Sequence, residues 1–154
     1  MSSTTDMHGP TDDERAILER RRAEFPLLVA QLRPGIADLA GFLSMANVDD
    51  LEQVVDAADA FLAGADLGEA DEDQRIWLLT RLMYLAGEAL IDRHGGHWFL
   101  ETDPGSPQYL RYVVRVGGGD GPIVDPAELA NRVLIEPPGS RSLRRALDEA
   151  AKAT

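Results

Sequence analysis

Apolar positions recur along the chain with two different periods, and the switch between them divides it. From about residue 12 to residue 94 they return every three or four residues, as in helices with one buried face. From residue 97 to 124 they alternate in twos, as in strands, and after residue 125 the helical spacing resumes.

The longest apolar helical segment is central. Asp71 is placed to cap its start, with Gln74 three residues on to complete a capping box. Ile76, Leu79, Met83, Ala86 and Leu90 follow at helical spacing. Trp77, Leu78, Leu82, Leu85 and Ile91 widen that stripe, so the helix needs cover on more than one side. Arg81, Glu88 and Asp92 share the remaining strip. Gly95 and Gly96 end the helix, and Arg93 and His94 suit the negative end of its dipole.

Two runs then read as strands, His97 to Thr102 and Tyr109 to Val116. In the second, Leu110, Tyr112, Val114 and Val116 share one face, and Tyr109, Arg111, Val113 and Arg115 the other. Turn chemistry at Asp103 to Pro107 and at Gly117 to Gly121 leads to a short third strand, Ile123-Val124.

Upstream, residues 1 to 10 read as a disordered polar tail. Thr11 with Glu14 opens a helix from Asp12 through Glu24, which Pro26 kinks or restarts. Phe25, Leu28, Val29 and Leu32 form an apolar patch. Pro34-Gly35 is expected to stop that segment before a short helix carrying Ile36, Leu39, Ala40 and Leu43 on one face. An acidic helix over residues 49 to 64 follows, with Leu51, Val54, Val55, Ala58, Phe61 and Leu62 as its stripe.

Downstream, Asp125, Pro126 and Glu128 form a helix-start signal for a short helix reaching Val133. Pro137, Pro138 and Gly139 break it. Ser140 is placed to cap a last helix whose apolar face is Leu143, Ala146, Leu147 and Ala150, and whose opening turns carry Arg141, Arg144 and Arg145. The expectation is an α+β fold in a single domain over residues 11 to 154. N-terminal helices and a long central helix pack on a three-stranded antiparallel meander, with two C-terminal helices beyond it.

Composition narrows the chemistry. The chain has no cysteine, which excludes disulfides, thiolate metal sites and cysteine nucleophiles. There is no basic-then-apolar leader and no bilayer-length apolar run, so a cytoplasmic location is expected. The net charge of −12 disfavours nucleic-acid backbones and anionic membranes as partners. Between Arg33 and Arg75 there is no basic residue, while eleven carboxylates occur there, Asp49, Asp50, Glu52, Asp56 and Asp59 among them.

The segment Gly87-Glu88, four residues, Arg93, Gly95-Gly96 and Trp98, followed by strands and then Asp125-Pro126, resembles a pattern in small uncharacterised bacterial proteins. The resemblance spans the second half of the chain and implies an α+β domain with no established activity. Similar domains occur among toxin-immunity proteins, a likeness that implies no site residues.

No nucleophile–base pair is apparent and no cofactor motif. Gly117 to Gly121 lacks the lysine and the strand-to-helix context of a phosphate loop, and Asp66 to Asp73 lacks the alternation of a calcium loop. His94 and His97 flank a helix end, which sets their rings on different elements and argues against a metal site. The favoured expectation is a non-enzymatic protein-binding module, of immunity or adaptor type, that binds a basic partner. Its surface would comprise Asp49, Asp50, Glu52, Asp56 and Asp59, with Trp98 and Tyr109 as aromatic anchors. The alternative is a small-ligand protein or enzyme with a cleft between the central helix and the sheet, lined by Glu88, Arg93, His94 and His97.

Overall fold

A computed structural model describes residues 11 to 45 and 48 to 152; the expected tail at residues 1 to 10 lies outside them. The elements in order are α1 (Asp12–Phe42), α2 (Leu51–Gly64), α3 (Glu72–His94), β1 (Gly96–Leu100), β2 (Tyr112–Val116), β3 (Ile123–Val124), α4 (Pro126–Ile135), a 3-10 turn (Pro138–Ser140) and α5 (Leu143–Lys152). The class is α+β, as the two periods require. No described helix is long and apolar enough to cross a membrane.

The largest departure is at the start. One helix, α1, runs through both Pro26 and Pro34, where a kink and a stop were expected. Each proline removes a hydrogen bond from the helix interior, a local cost of about 3 kcal/mol. The apolar residues nonetheless stay in phase across them: Leu28, Leu32, Ile36 and Leu39 are all buried in the common core. Continuous burial against α3 outweighs the local signal. Gly35, expected as part of the stop, is a contact point, since a Cβ there would lie 2.6 Å from Cε2 of Tyr84 on α3. Val29, expected in the apolar patch, is half exposed.

α3 is the hub and touches α1, α2, α4, α5, β1 and β2. Its capping box forms as expected: Gln74 N–H donates to the Asp71 carboxylate at 2.8 Å, and the Asp71 N–H donates to Gln74 Oε1 at 3.0 Å. Its buried face is Leu78, Leu82, Leu85, Ala86, Ala89 and Leu90; Ile76 is exposed and Leu79 and Met83 are half-buried, so the centre of the stripe is rotated from the expected one. Gly95 ends the helix at φ +78°, a conformation glycine adopts without a Cβ penalty, and its N–H donates to Ile91 O at 2.7 Å.

The sheet has the order β1-β2-β3, antiparallel throughout, with Trp98 opposite Val114 and Val114 opposite Val124. Val114 and Val116 lie in the core, but β2 begins at Tyr112. Tyr109 to Arg111 belong to a turn, with Leu110 at φ +68° and its N–H donating to Glu101 O at 2.8 Å. Val113 is fully buried on the opposite face beside its register partner Phe99, so this strand is covered on both sides at that point.

α4 starts where the Asp-Pro signal put it, with the Asp125 carboxylate accepting from the N–H groups of Ala127 and Glu128. α5 is capped differently from expectation. Ser140 sits in the 3-10 turn, and the N–H groups of Leu143 and Arg144 donate to the carboxylate of Asp59, on α2, at 2.6 and 3.2 Å. A capping carboxylate supplied by another helix fastens α5 to α2 as well as starting it. Leu143 and Leu147, both fully buried, complete the attachment.

Candidate functional site

The acidic face of α2 is where the sequence pointed, and most of it is neutralised from within. Glu52 and Asp56 are one turn apart and face Arg93, at the end of α3, and Arg144 of α5. Arg93 clasps Glu52 through two parallel hydrogen bonds, Nε to Oε2 at 2.7 Å and Nη2 to Oε1 at 2.8 Å, and reaches Asp148 through Nη1 at 3.0 Å. Arg144 donates to Glu52 Oε1 at 2.9 Å and pairs with Asp56. The hydrogen bonds from Arg93 hold the Glu52 carboxyl below its ordinary range, with those from Arg144 adding to the effect. Hydrogen bonding to Glu52 and to Asp56 respectively raises the pKa of Arg93 and Arg144.

Of the other acidic and aromatic candidates, Asp50, Asp59 and Trp98 are also engaged. Asp59 caps α5, and Asp50 caps α2 by accepting from Glu52 N–H at 3.0 Å. Asp49 is exposed beside that cap. Trp98 is no surface anchor: it is 8% exposed and its indole N–H donates to Glu88 at 3.1 Å. Tyr109 is half-buried, with its hydroxyl closed off from solvent and without a partner at hydrogen-bond distance among the described residues. Burial, and then the nearby Glu14 carboxylate, raises its pKa. These residues hold the fold together more than they present a face.

The alternative constellation does not converge. Arg93 points to α2 and α5, while Glu88 lies between Trp98 and Arg33 of α1, at 3.3 Å from Arg33 Nε. Glu88 is thus held in a structural ion pair with Arg33. Arg81 turns instead to Asp38 and stacks on Trp77, and Arg111 pairs with Asp125 at 2.8 Å. His94 and His97 are both exposed, on a helix end and a strand. The expected cleft between central helix and sheet is closed at its middle, where a Cβ on Gly87 would lie 2.7 Å from Cε2 of Trp98. Among the described residues no group of three His, Asp or Glu side chains could hold a metal ion.

An open cleft lies elsewhere, between the end of α1, the α2–α3 connection and the first turns of α3, with a volume of about 710 Å³. Its apolar wall is built by three helices: Phe42 ends α1, Phe61 lies in the last turns of α2, and Trp77 stands at the start of α3. Phe42 meets Phe61 edge-on, with ring centres 5.1 Å apart, and Trp77 at 5.4 Å. Phe42 remains 52% exposed, and Ile76 beside Trp77 equally so. Leu67 and Leu78 complete the wall.

The rim is acidic. Asp66, Glu69, Asp71 and Asp73 surround the opening, with Arg75 as the one cation among the lining residues. Asp66 and Asp71 spend part of their capacity on local turns, accepting from Gly68 and Gln74 N–H. Glu69 and Asp73 are exposed and engage no cation among the described residues. Charges without an internal partner therefore sit at the cleft, whereas those on α2 are paired. Sequence reasoning missed this cleft because Phe61 and Trp77 fall in apolar helix stripes, and the acidic run from Asp66 to Asp73 gives no sign of an apolar wall beside it.

No known family, curated protein or solved structure matches the chain, so the site is read from its own geometry.

Proposed function

We propose that the protein is a non-enzymatic binding module, an adaptor or an immunity-type protein, that takes up a positively charged partner protein. The observation that carries this reading is the cleft of Phe42, Phe61 and Trp77 under an acidic rim. Apolar surface left open on a small domain marks interaction sites, and aromatic residues are the usual anchors of interfaces. Net negative charge across the whole molecule steers a basic partner toward it, and Glu69 and Asp73 give that attraction a fixed place. The binding surface is thus displaced from the face of Glu52, Asp56 and Asp59 to the cleft that Phe61 lines near the C-terminal end of α2.

The experiment is capture on the immobilised protein at low and high salt. Wild type is compared with the Glu69→Gln/Asp73→Asn pair and with Phe42→Ser. The expected result is a partner of net positive charge, held at low salt, released at high salt, and lost by both variants. Retention of the same proteins by wild type and variants, or of none by wild type, contradicts the reading.

A further inference from the structure

We infer that the occupant of this cleft is an amphipathic helix of the partner, presenting several apolar side chains from one face and flanked by lysine or arginine. The inference rests on the binding-module reading above and names the chemistry that the same site recognises. Size argues first: a closed cavity of about 150 Å³ already accepts a benzene-sized group, so 710 Å³ is too large for one inserted side chain. It has room for the several anchors that a helix face supplies at spacings of three and four residues. The cleft also runs among three helix ends, where a fourth helix can pack on the half-exposed Phe42 without displacing a core residue.

Charge then decides between two kinds of cationic ligand. A lone ammonium held in an aromatic cage needs open ring faces. One face of Trp77 is already covered by the protein's own Arg81, whose guanidinium carbon lies 4.3 Å from the ring centre, and Phe42 and Phe61 are turned edge-on to each other. The aromatic wall is therefore arranged for apolar contact. Cation recognition falls to the rim, where Glu69 and Asp73 stand outside the apolar floor, as the flanking charges of a basic helix would require.

The test uses the full chain and three synthetic helical peptides of about 18 residues, five turns each. One carries a leucine face flanked by lysines, the second has the leucines replaced by serine with the lysines kept, and the third has the lysines replaced by glutamate. Binding is followed by titration calorimetry and by tryptophan emission, since Trp77 lines the cleft while Trp98 is buried elsewhere. The leucine–lysine peptide is expected to bind and to shift the emission to shorter wavelength. Phe42→Ser should weaken it about tenfold or more, the loss of one interface anchor, and Glu69→Gln/Asp73→Asn about three- to tenfold at low salt. The serine–lysine and leucine–glutamate peptides should not bind. Equal binding of the serine–lysine peptide overturns the helix-face inference while leaving an acidic docking surface standing. Equal binding of the leucine–glutamate peptide overturns the role of the rim, and binding of none of the three overturns inference and reading together. Phe42 is half exposed and Glu69 and Asp73 are exposed, and unchanged circular dichroism confirms that each variant is folded.

Discussion

Replacing Glu52 by glutamine tests whether the carboxylates of α2 are structural. The substitution keeps size and one acceptor oxygen but removes the charge shared by Arg93 and Arg144. Three charge-assisted hydrogen bonds converge on this carboxylate, at 2.7, 2.8 and 2.9 Å. Each such bond contributes about 1.5–3 kcal/mol on its own. The sum is not lost, because Arg93 keeps Asp148 and Arg144 keeps Asp56. The Glu52 side chain is also 34% exposed, so solvent screens part of the pairing. Arg93, however, is only 14% exposed and would be left with one partner in place of two. The net destabilisation is then about 1.5–3 kcal/mol, the value of a single charged hydrogen bond. For a chain of this length that lowers the melting temperature by roughly 3–12 °C. Urea unfolding followed by tryptophan emission measures it, with an unchanged slope showing that stability alone has altered. Glu69→Gln, which removes an unpaired rim charge, serves as the control and should stay within about 0.5 kcal/mol of wild type. If Glu52→Gln also stays within that margin, the α2 face is not a structural clasp and returns as a candidate docking surface.

Other consequences follow from the same geometry. Gly87→Ala gains up to about 1 kcal/mol of helix propensity but drives a methyl into Trp98; overpacking of about 1–3 kcal/mol, with strain on the Trp98–Glu88 bond, should leave the variant less stable in urea. Asp59→Ala removes the two capping hydrogen bonds that α2 lends to α5, leaving Ser142 to accept from Arg145 N–H, and should cost about 0.5–2 kcal/mol, with hydrogen exchange accelerated first across Leu143–Lys152. Because its arginine partners lower the folded-state pKa of Glu52, its contribution is complete above the unfolded value of about 4.3 and is lost as pH falls through the folded value. Acid unfolding of Glu52→Gln should therefore show a shallower loss of stability below about pH 4 than wild type does.

Signals carried by neighbours in sequence were legible. The Thr11 cap, the capping box at Asp71, the Asp125-Pro126 start and the change of period at Gly95 all mark real boundaries. Reading failed where distant packing decides. Pro26 and Pro34 are strong local stop signals, yet α1 continues because Leu28, Leu32, Ile36 and Leu39 bury together against the rest of the core. Trp98 and Glu88 are both visible as residues, but their bond depends on the register that folds β1 back over Gly87. The acidic run and the arginines that neutralise it were also both visible. Glu52 and Arg93 are 41 residues apart, and Glu52 and Arg144 are 92 apart, so no periodicity could pair them. The cleft was hidden for the complementary reason. Phe42, Phe61 and Trp77 occupy apolar positions on three helices, and only their convergence at one end of the fold leaves a wall open to solvent. The Gly87-to-Trp98 pattern now has a physical content in this chain, as close packing of Gly87 on Trp98, a helix end, and ion pairs from Glu88 to Arg33 and from Arg93 to Glu52 and Asp148.

The most direct test of the central claim is a map of amide chemical-shift changes in the labelled protein on addition of the leucine–lysine peptide. The account predicts changes centred on Phe42, Phe61 and the stretch from Leu67 to Leu78, with Glu52, Asp56 and α5 unaffected. Changes centred on Glu52, Asp56 and Arg144, with the cleft silent, would contradict it and return the binding surface to the face of α2.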